Sequence, residues 1–492
     1  MNQRAASVKS PRPQGKDYLL AAAVTGVIAL LFMAWKSDTI HWFLLPLFAC
    51  GVLAGVDVVR WVRGRLDTFD PKAVVGLIAF YGFFMAPLLH VAWDRYGVLG
   101  DLDVSGDWRY WLGAMAGLNA LGLLCYQMAQ SFFYARTSPA RLKLEINPKT
   151  FPLVVLYTLA LSILGQLYFL WQVGGFEGLI RLKETDPEAF LGKGWLLLFA
   201  WPMTIVSFIA VTWLITQKRS EGRGRLLLGL ALVGVFGVAH FFLLGLRGSR
   251  SETVWALFWM GGILHYRFRK MSPLLATLGI SVFIAFMYFY GFYKERGTEA
   301  VEMVMTPGAW TEAPGYLRDY KTLLLLDLAR ADVNACLLNN LVLFPKAYNY
   351  RWGLTYIGAF TVVVPRNLWP NRPEFKKDAG TDALYGKTLS WESRRVYGLS
   401  GEALLNFGPL GVAPLWILFG VVMGWYRRKF VSWQKDDTRL LLAPFVTLLF
   451  VVRLIGDSDN LVFTAVSEGT LATACLLISS RVLRLQNRPE LG

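Results

Sequence analysis

YLLAAAVTGVIALLFMAW, residues 18–35, holds no charged side chain and follows a basic tail carrying Arg4, Lys9, Arg12 and Lys16. A helix rises about 1.5 Å per residue, so a run of this length crosses most of a ~30 Å hydrocarbon core. Inside lipid the backbone must satisfy its own hydrogen bonds, which leaves helices or closed barrels, and the run is too long for a barrel strand. A basic head before an apolar run also describes a secretory signal. No convincing small-residue cleavage site follows, and a second apolar run begins at once, so residues 18–35 are expected to be a retained helix.

Comparable runs begin near Ile40, Val74, Tyr110, Phe151, Gly194, Leu226, Thr253, Pro273, Ala403, Leu440 and Leu461. With 55% hydrophobic and 17% charged residues in 492 positions, and a mean hydropathy of +0.42, the apolar surface exceeds what one soluble core needs. The expected fold class is an all-α polytopic membrane protein of about twelve transmembrane helices.

Charge sets the expected orientation. If the N-terminus is cytoplasmic, the connections 60–73, 131–150, 217–225, 267–272 and 426–439 share that side, and each is rich in Lys and Arg. The C-terminal tail adds Arg481, Arg484 and Arg488, while opposite loops hold Asp94, Asp101, Asp103 and Asp107, or Glu177, Glu184, Asp186 and Glu188. One alternating assignment satisfies the positive-inside rule and puts both termini in the cytoplasm. The net charge of +16 is therefore a topology signal and does not indicate nucleic acid as a partner. Cys50, Cys125, Cys336 and Cys475 are scattered, and His41, His90, His240 and His265 form no ligand motif, so neither a disulfide framework nor a metal site is expected. No P-loop, dinucleotide fingerprint or GxSxG elbow is visible, and no cofactor is expected.

Three units follow: 1–293 with helices one to nine, 294–402 as one large extracytoplasmic loop or lid, and 403–492 with helices ten to twelve and a cytoplasmic tail. Long loops in compact proteins are functional or disordered. This one contains the apolar segment Tyr320 to Leu328, a helix-like stretch from Asp332 to Leu343, and the run Leu354 to Val364, which is too short to cross comfortably and is expected to be re-entrant or interfacial. Trp310, Trp352, Trp369 and Trp391 suit membrane-surface anchors.

Arginine recurs on the side that should be poor in it. Arg247 and Arg250 sit at a corner between two spans, Arg366, Arg372, Arg394 and Arg395 cluster late in the large loop, and Arg453 lies near the outer end of the eleventh span. Guanidinium groups hold phosphate oxygens in two-pronged contacts, and ionisable groups near membrane depth are functional candidates. The competing reading is local pairing, Arg250 with Glu252 or Arg394 with Glu392, that merely orders the loop.

Three sequence features carry a resemblance: Leu-Arg-Gly-Ser-Arg at 246–250, Pro-Arg-Asn-Leu-Trp-Pro at 365–370, and Gly-Glu-Ala-Leu-Leu-Asn-Phe-Gly at 401–408. In this order and on a common side, they resemble the Wzy-type oligosaccharide repeat-unit polymerases of bacterial surface polysaccharides, over residues 18 to 485 or so. The resemblance implies a metal-independent GT-C-like glycosyltransferase of the bacterial inner membrane. Both substrates would be undecaprenyl-diphosphate-linked oligosaccharides, and the growing glycan would pass to the non-reducing end of a new lipid-linked unit. A polysaccharide chain-length regulator is the protein partner it implies.

For that chemistry Arg247, Arg250 and Arg366 are the first candidates to stabilise the leaving diphosphate, with Arg453 a further contact. Glu402 would orient or deprotonate the acceptor hydroxyl, or else serve the N-terminus of the tenth span as a helix-end carboxylate. Arg181, Arg372, Arg394, Arg395 and Asn406 are candidates for substrate binding, with Asn406 equally suited to shaping helix packing and Arg181, Arg394 and Arg395 to surface roles. Aromatic residues of the loop such as Trp310 and Tyr385 could stack on sugars. An O-antigen ligase would resemble the same plan but typically uses a histidine in the large loop, and residues 294–402 contain none. A flippase or exporter of lipid-linked oligosaccharide stays open as a different class, although no internal repeat is evident.

Overall fold

A computed structural model of the chain describes residues 12–96, 104, 106–133, 142–175, 178, 196–217, 223–244, 250–296, 321, 324–325, 331–345, 348–364, 368–369, 376–386 and 395–484. The chain is an all-α polytopic membrane protein. Among the described residues ten helices are long and apolar enough to span a bilayer. They are α1 (Gly15–Trp35), α2 (Leu44–Val62), α3 (Pro71–Ala92), α4 (Trp108–Ser131), α5 (Phe151–Val173), α6 (Leu198–Thr216), α7 (Arg223–Leu244), α9 (Pro273–Arg296), α14 (Val412–Ser432) and α16 (Ser458–Ile478). Two more helices lie at the remaining expected positions. One, α8 (Arg250–Arg267), carries charge at both ends, and the other, α15 (Arg439–Ile455), is 17 residues long.

The large loop contributes α10 (Ala331–Leu343), α11 (Leu354–Thr361), α12 (Lys376–Tyr385) and α13 (Gly398–Phe407). The first two match the helix-like stretch and the short apolar run of the sequence, whereas most of Tyr320 to Leu328 lies outside the described residues. The expected start of the tenth span at Ala403 is corrected. Residues 398–407 form a separate helix that ends at Gly408, whose φ of +68° turns the chain, and the span begins at Pro409. Proline lacks the amide that would continue the preceding helix, so the Gly408-Pro409 pair interrupts an apolar run that hydropathy reads as continuous.

Burial separates lipid-facing helices from the interior. α1, α5, α7 and α9 bury about a fifth of their residues or less, 17–22%, and present side chains such as Leu31, Leu164, Val235 and Val282 outward. The two largest cores among the described residues lie inside. One joins α2, α3, α4, α10, α13 and α14 around the fully buried Trp416 and Phe84. The other joins α5, α6, α8, α15 and α16 around Trp259, whose ring stacks on Phe445 at 4.4 Å. α15 supplies residues to both, which explains why its sequence is apolar all round.

Helix contacts rely on small residues, as expected where lipid removes any hydrophobic gain from helix pairing. A Cβ at Gly420 of α14 would lie 2.8 Å from the Tyr126 carbonyl oxygen, so that position permits α14 to approach the backbone of α4. Beside the start of α15, where the Thr438 amide donates to the Leu144 carbonyl at 2.9 Å, β1 (Leu142–Ile146) pairs antiparallel with β2 (Ser480–Arg484), a two-stranded ribbon that the sequence reading missed.

Candidate functional site

α8 and α15 run antiparallel. Arg267 at the end of α8 lies close enough to Asp436 and Asp437, just before α15, to feel their charges, and a Cβ at Gly262 would meet Pro444, so the first turn of α8 and the last turn of α15 share the other end of the bundle. Arg250 opens α8 there and Arg453 lies in the last turn of α15. Arg181, Arg247, Arg366, Arg372 and Arg394, together with Trp310 and Trp391, lie outside the described residues, and the side chain of Arg250 does as well.

At this end Glu402 of α13 is fully buried. Its Oε1 accepts from the Thr355 hydroxyl of α11 at 3.0 Å and from the Ser458 hydroxyl. Its Oε2 accepts from the Ser458 amide at 2.9 Å and faces Arg453 Nη1 at 3.1 Å. A carboxylate offers about four lone-pair sites; three hydrogen bonds and the charge contact with Arg453 surround these. Glu402 is the fifth residue of its own helix, so the helix end it serves is that of α16, where Ser458 is the first residue, and not that of the tenth span. A buried carboxyl group so held in place leaves little room for an acceptor hydroxyl.

Asp457 returns the contact. Fully buried just before α16, it accepts from the amides of Tyr397 at 3.0 Å and Gly398 at 2.9 Å, satisfying donors that begin α13. Each of two helices thus supplies the carboxylate that caps the start of the other.

Asn406 uses both ends of its amide. Oδ1 accepts from the Gly353 amide at 2.9 Å, and Nδ2 donates to Thr355 Oγ1 at 2.7 Å and to the Glu402 carbonyl at 2.8 Å. These bonds fix α11 against α13, which is the packing alternative raised by the sequence. Arg395 is buried at 4% exposure, with Nε donating to the Tyr385 hydroxyl at 2.7 Å, so it is an interior residue of the loop and its expected surface role is corrected. Tyr385 lies in the last turn of α12, whose Asp382 also pairs with Arg351 at 2.7 Å.

Arg453 differs from these neighbours. Its guanidinium lies 5.6 Å from the Tyr356 ring centroid, and Nη1 and Nη2 are buried without a hydrogen bond, the 3.1 Å approach to Glu402 being a charge contact that lacks hydrogen-bond alignment. The Tyr356 hydroxyl is likewise buried and unbonded. Burial, with Glu402 adding to it, raises the Tyr356 phenol above its ordinary range, so it stays a neutral donor. Arg453, Glu402 and Asn406 therefore come together, through partners that sequence reasoning did not single out: Thr355, Tyr356, Asp457 and Ser458. Only Asp457-Ser458 left a sequence signal, an acidic residue and a serine ahead of an apolar run, as at a helix start.

No family model matches the chain, and neither the curated proteins nor the solved structures give a match.

Proposed function

We propose that the chain is a glycosyltransferase of the bacterial inner membrane that joins undecaprenyl-diphosphate-linked oligosaccharide repeat units. It transfers the growing glycan to the non-reducing end of a new lipid-linked unit at the extracytoplasmic face, with both chain termini in the cytoplasm. The acceptor hydroxyl oxygen attacks the anomeric carbon, the bond from that carbon to the diphosphate oxygen breaks, the lipid diphosphate leaves with the bonding electrons, and the hydroxyl proton passes to the diphosphate oxygens or to water. Charge accumulates on the leaving oxygens, where preorganised cationic donors lower the barrier most.

The observation that carries this reading is Arg453, a buried cation whose Nη donors lack hydrogen bonds, held beneath helices of the large loop. It shares an end of the bundle with Arg250, and the opposite end collects the basic connections. The ordered motifs at 246–250, 365–370 and 401–408 support the same reading, as does a positive-inside charge distribution that would place the large loop outside.

The test is purified protein in liposomes with a synthetic polyprenyl-diphosphate repeat unit, without nucleotide sugar and with chelator. A ladder of lengthening glycan on lipid, lost in Arg250→Ala, Arg366→Ala and Arg453→Ala, supports the polymerase. Intact substrate that changes leaflet would replace it with the transporter, and intact, immobile substrate with several repeat units would remove the reading.

A further inference from the structure

We propose that Glu402 is a positioning residue for Arg453. It fixes the guanidinium in one orientation and takes no proton from the acceptor. The kinetic part of this inference rests on the polymerase reading, and the structural part does not.

Four observations support it. Glu402 has no exposed surface, and both its oxygens face donors, so no acceptor hydroxyl reaches it without first displacing one. Its position is over-determined by three separate segments: Thr355 on α11, Ser458 on α16 and Arg453 on α15. The contact with Arg453 involves Nη1 on one side, and Tyr356 limits the guanidinium on another. Neither Nη1 nor Nη2 has an aligned hydrogen-bond acceptor.

The chemical consequence is specific. A flexible arginine loses side-chain freedom when it grips a ligand. Anchoring by a buried carboxylate makes that loss part of folding, so the donor is already in place when charge develops on the substrate. A general base at this position would instead need a path for the proton, which a carboxylate with no exposed surface lacks.

The experiment combines a thermal double-substitution cycle with kinetics, using full-length protein in detergent and in liposomes. Glu402→Gln keeps size and one acceptor but removes the charge, Glu402→Asp keeps the charge on a shorter arm, and Arg453→Lys keeps a charge without the planar fork. Three results are expected. The melting shifts of Glu402→Gln and Arg453→Lys are non-additive. Labelling of Arg453 by phenylglyoxal, read by mass spectrometry, is faster in Glu402→Gln. On the lipid-linked repeat unit kcat falls about tenfold or more in Glu402→Gln with KM little changed, and Glu402→Asp recovers part of it.

Additive melting shifts together with unchanged Arg453 labelling overturn the proposal, as does wild-type kcat in Glu402→Gln. A general base is the result if Glu402→Gln abolishes turnover while labelling of Arg453 stays at the wild-type rate. If wild-type protein transfers no glycan, the polymerase reading fails separately, and the cycle with the labelling still decides whether Glu402 sets Arg453. Should Glu402→Gln not fold, Glu402→Asp carries the same comparisons.

Discussion

Arg427 donates to Asp70 through two parallel contacts, Nε to Oδ1 at 2.8 Å and Nη2 to Oδ2 at 2.7 Å, in a site where both side chains are buried. The same carboxylate accepts from the Lys72 amide at 2.9 Å and so caps α3. One aspartate therefore joins the start of the third span to the end of α14. Arg427→Met leaves Asp70 buried beside an apolar chain and is expected to cost about 3–5 kcal/mol. Arg427→Lys should recover only part of this, because an ammonium cannot make the planar two-pronged contact. Detergent melting curves check both, and the double variant Asp70→Asn, Arg427→Met should lose less than the sum of its parts.

Gly420→Val tests the closeness of α14 and α4. The branched side chain would enter the space held by Tyr126 and Ala129, and small-to-large changes in packed interiors cost about 1–3 kcal/mol. A lower melting temperature and a broadened size-exclusion peak are expected, while Val421→Ala, at a position 39% exposed on the same helix, should change neither much.

Asp67, in the connection before α3, provides a pH test. Burial alone would raise its pKa, but hydrogen bonding and charge from His265, with Lys270 beside it, lower it from 3.8 to about 2. A folded-state pKa below the ordinary value means the stabilisation is fully present above about pH 4 and is lost as pH falls through about 2. The melting difference between wild type and Asp67→Asn should accordingly shrink as pH falls from about 4 through about 2.

Asp457→Ala should free the two amides that begin α13 and cost about 1–2 kcal/mol or more, since the position is fully buried. Asp457→Asn retains a carbonyl acceptor and should cost less. Limited proteolysis within 387–397, compared with wild type at equal temperature, checks whether the loss is local to the start of α13.

The spans were legible because lipid demands long apolar helices, and the positions from Tyr18 to Leu461 were found with little error. Ala403 was misplaced because residues 401–411 are apolar by composition, while the break depends on backbone geometry at Gly408. The β1–β2 ribbon escaped notice because the strands Leu142–Ile146 and Ser480–Arg484 lie far apart in the chain, and both fell in stretches read for their charge. At the candidate site, charge on the outer side drew attention to Arg453, and the motif at 401–408 drew attention to Glu402. Thr355 gave no signal, because a hydroxyl becomes distinctive only when folding brings it against a buried carboxylate. Arg395 shows the converse: its charge suggested the surface, and Tyr385 and the loop helices enclose it.

The exchange of caps between α13 and α16 has a mechanical consequence. Asp457 begins the helix that carries Glu402, and Glu402 meets the first amide of the helix that follows Asp457. Neither helix start can fray without releasing the other, so fraying there is concerted, and hydrogen exchange at Gly398 and Ser458 should proceed at one shared rate, as in a single latch.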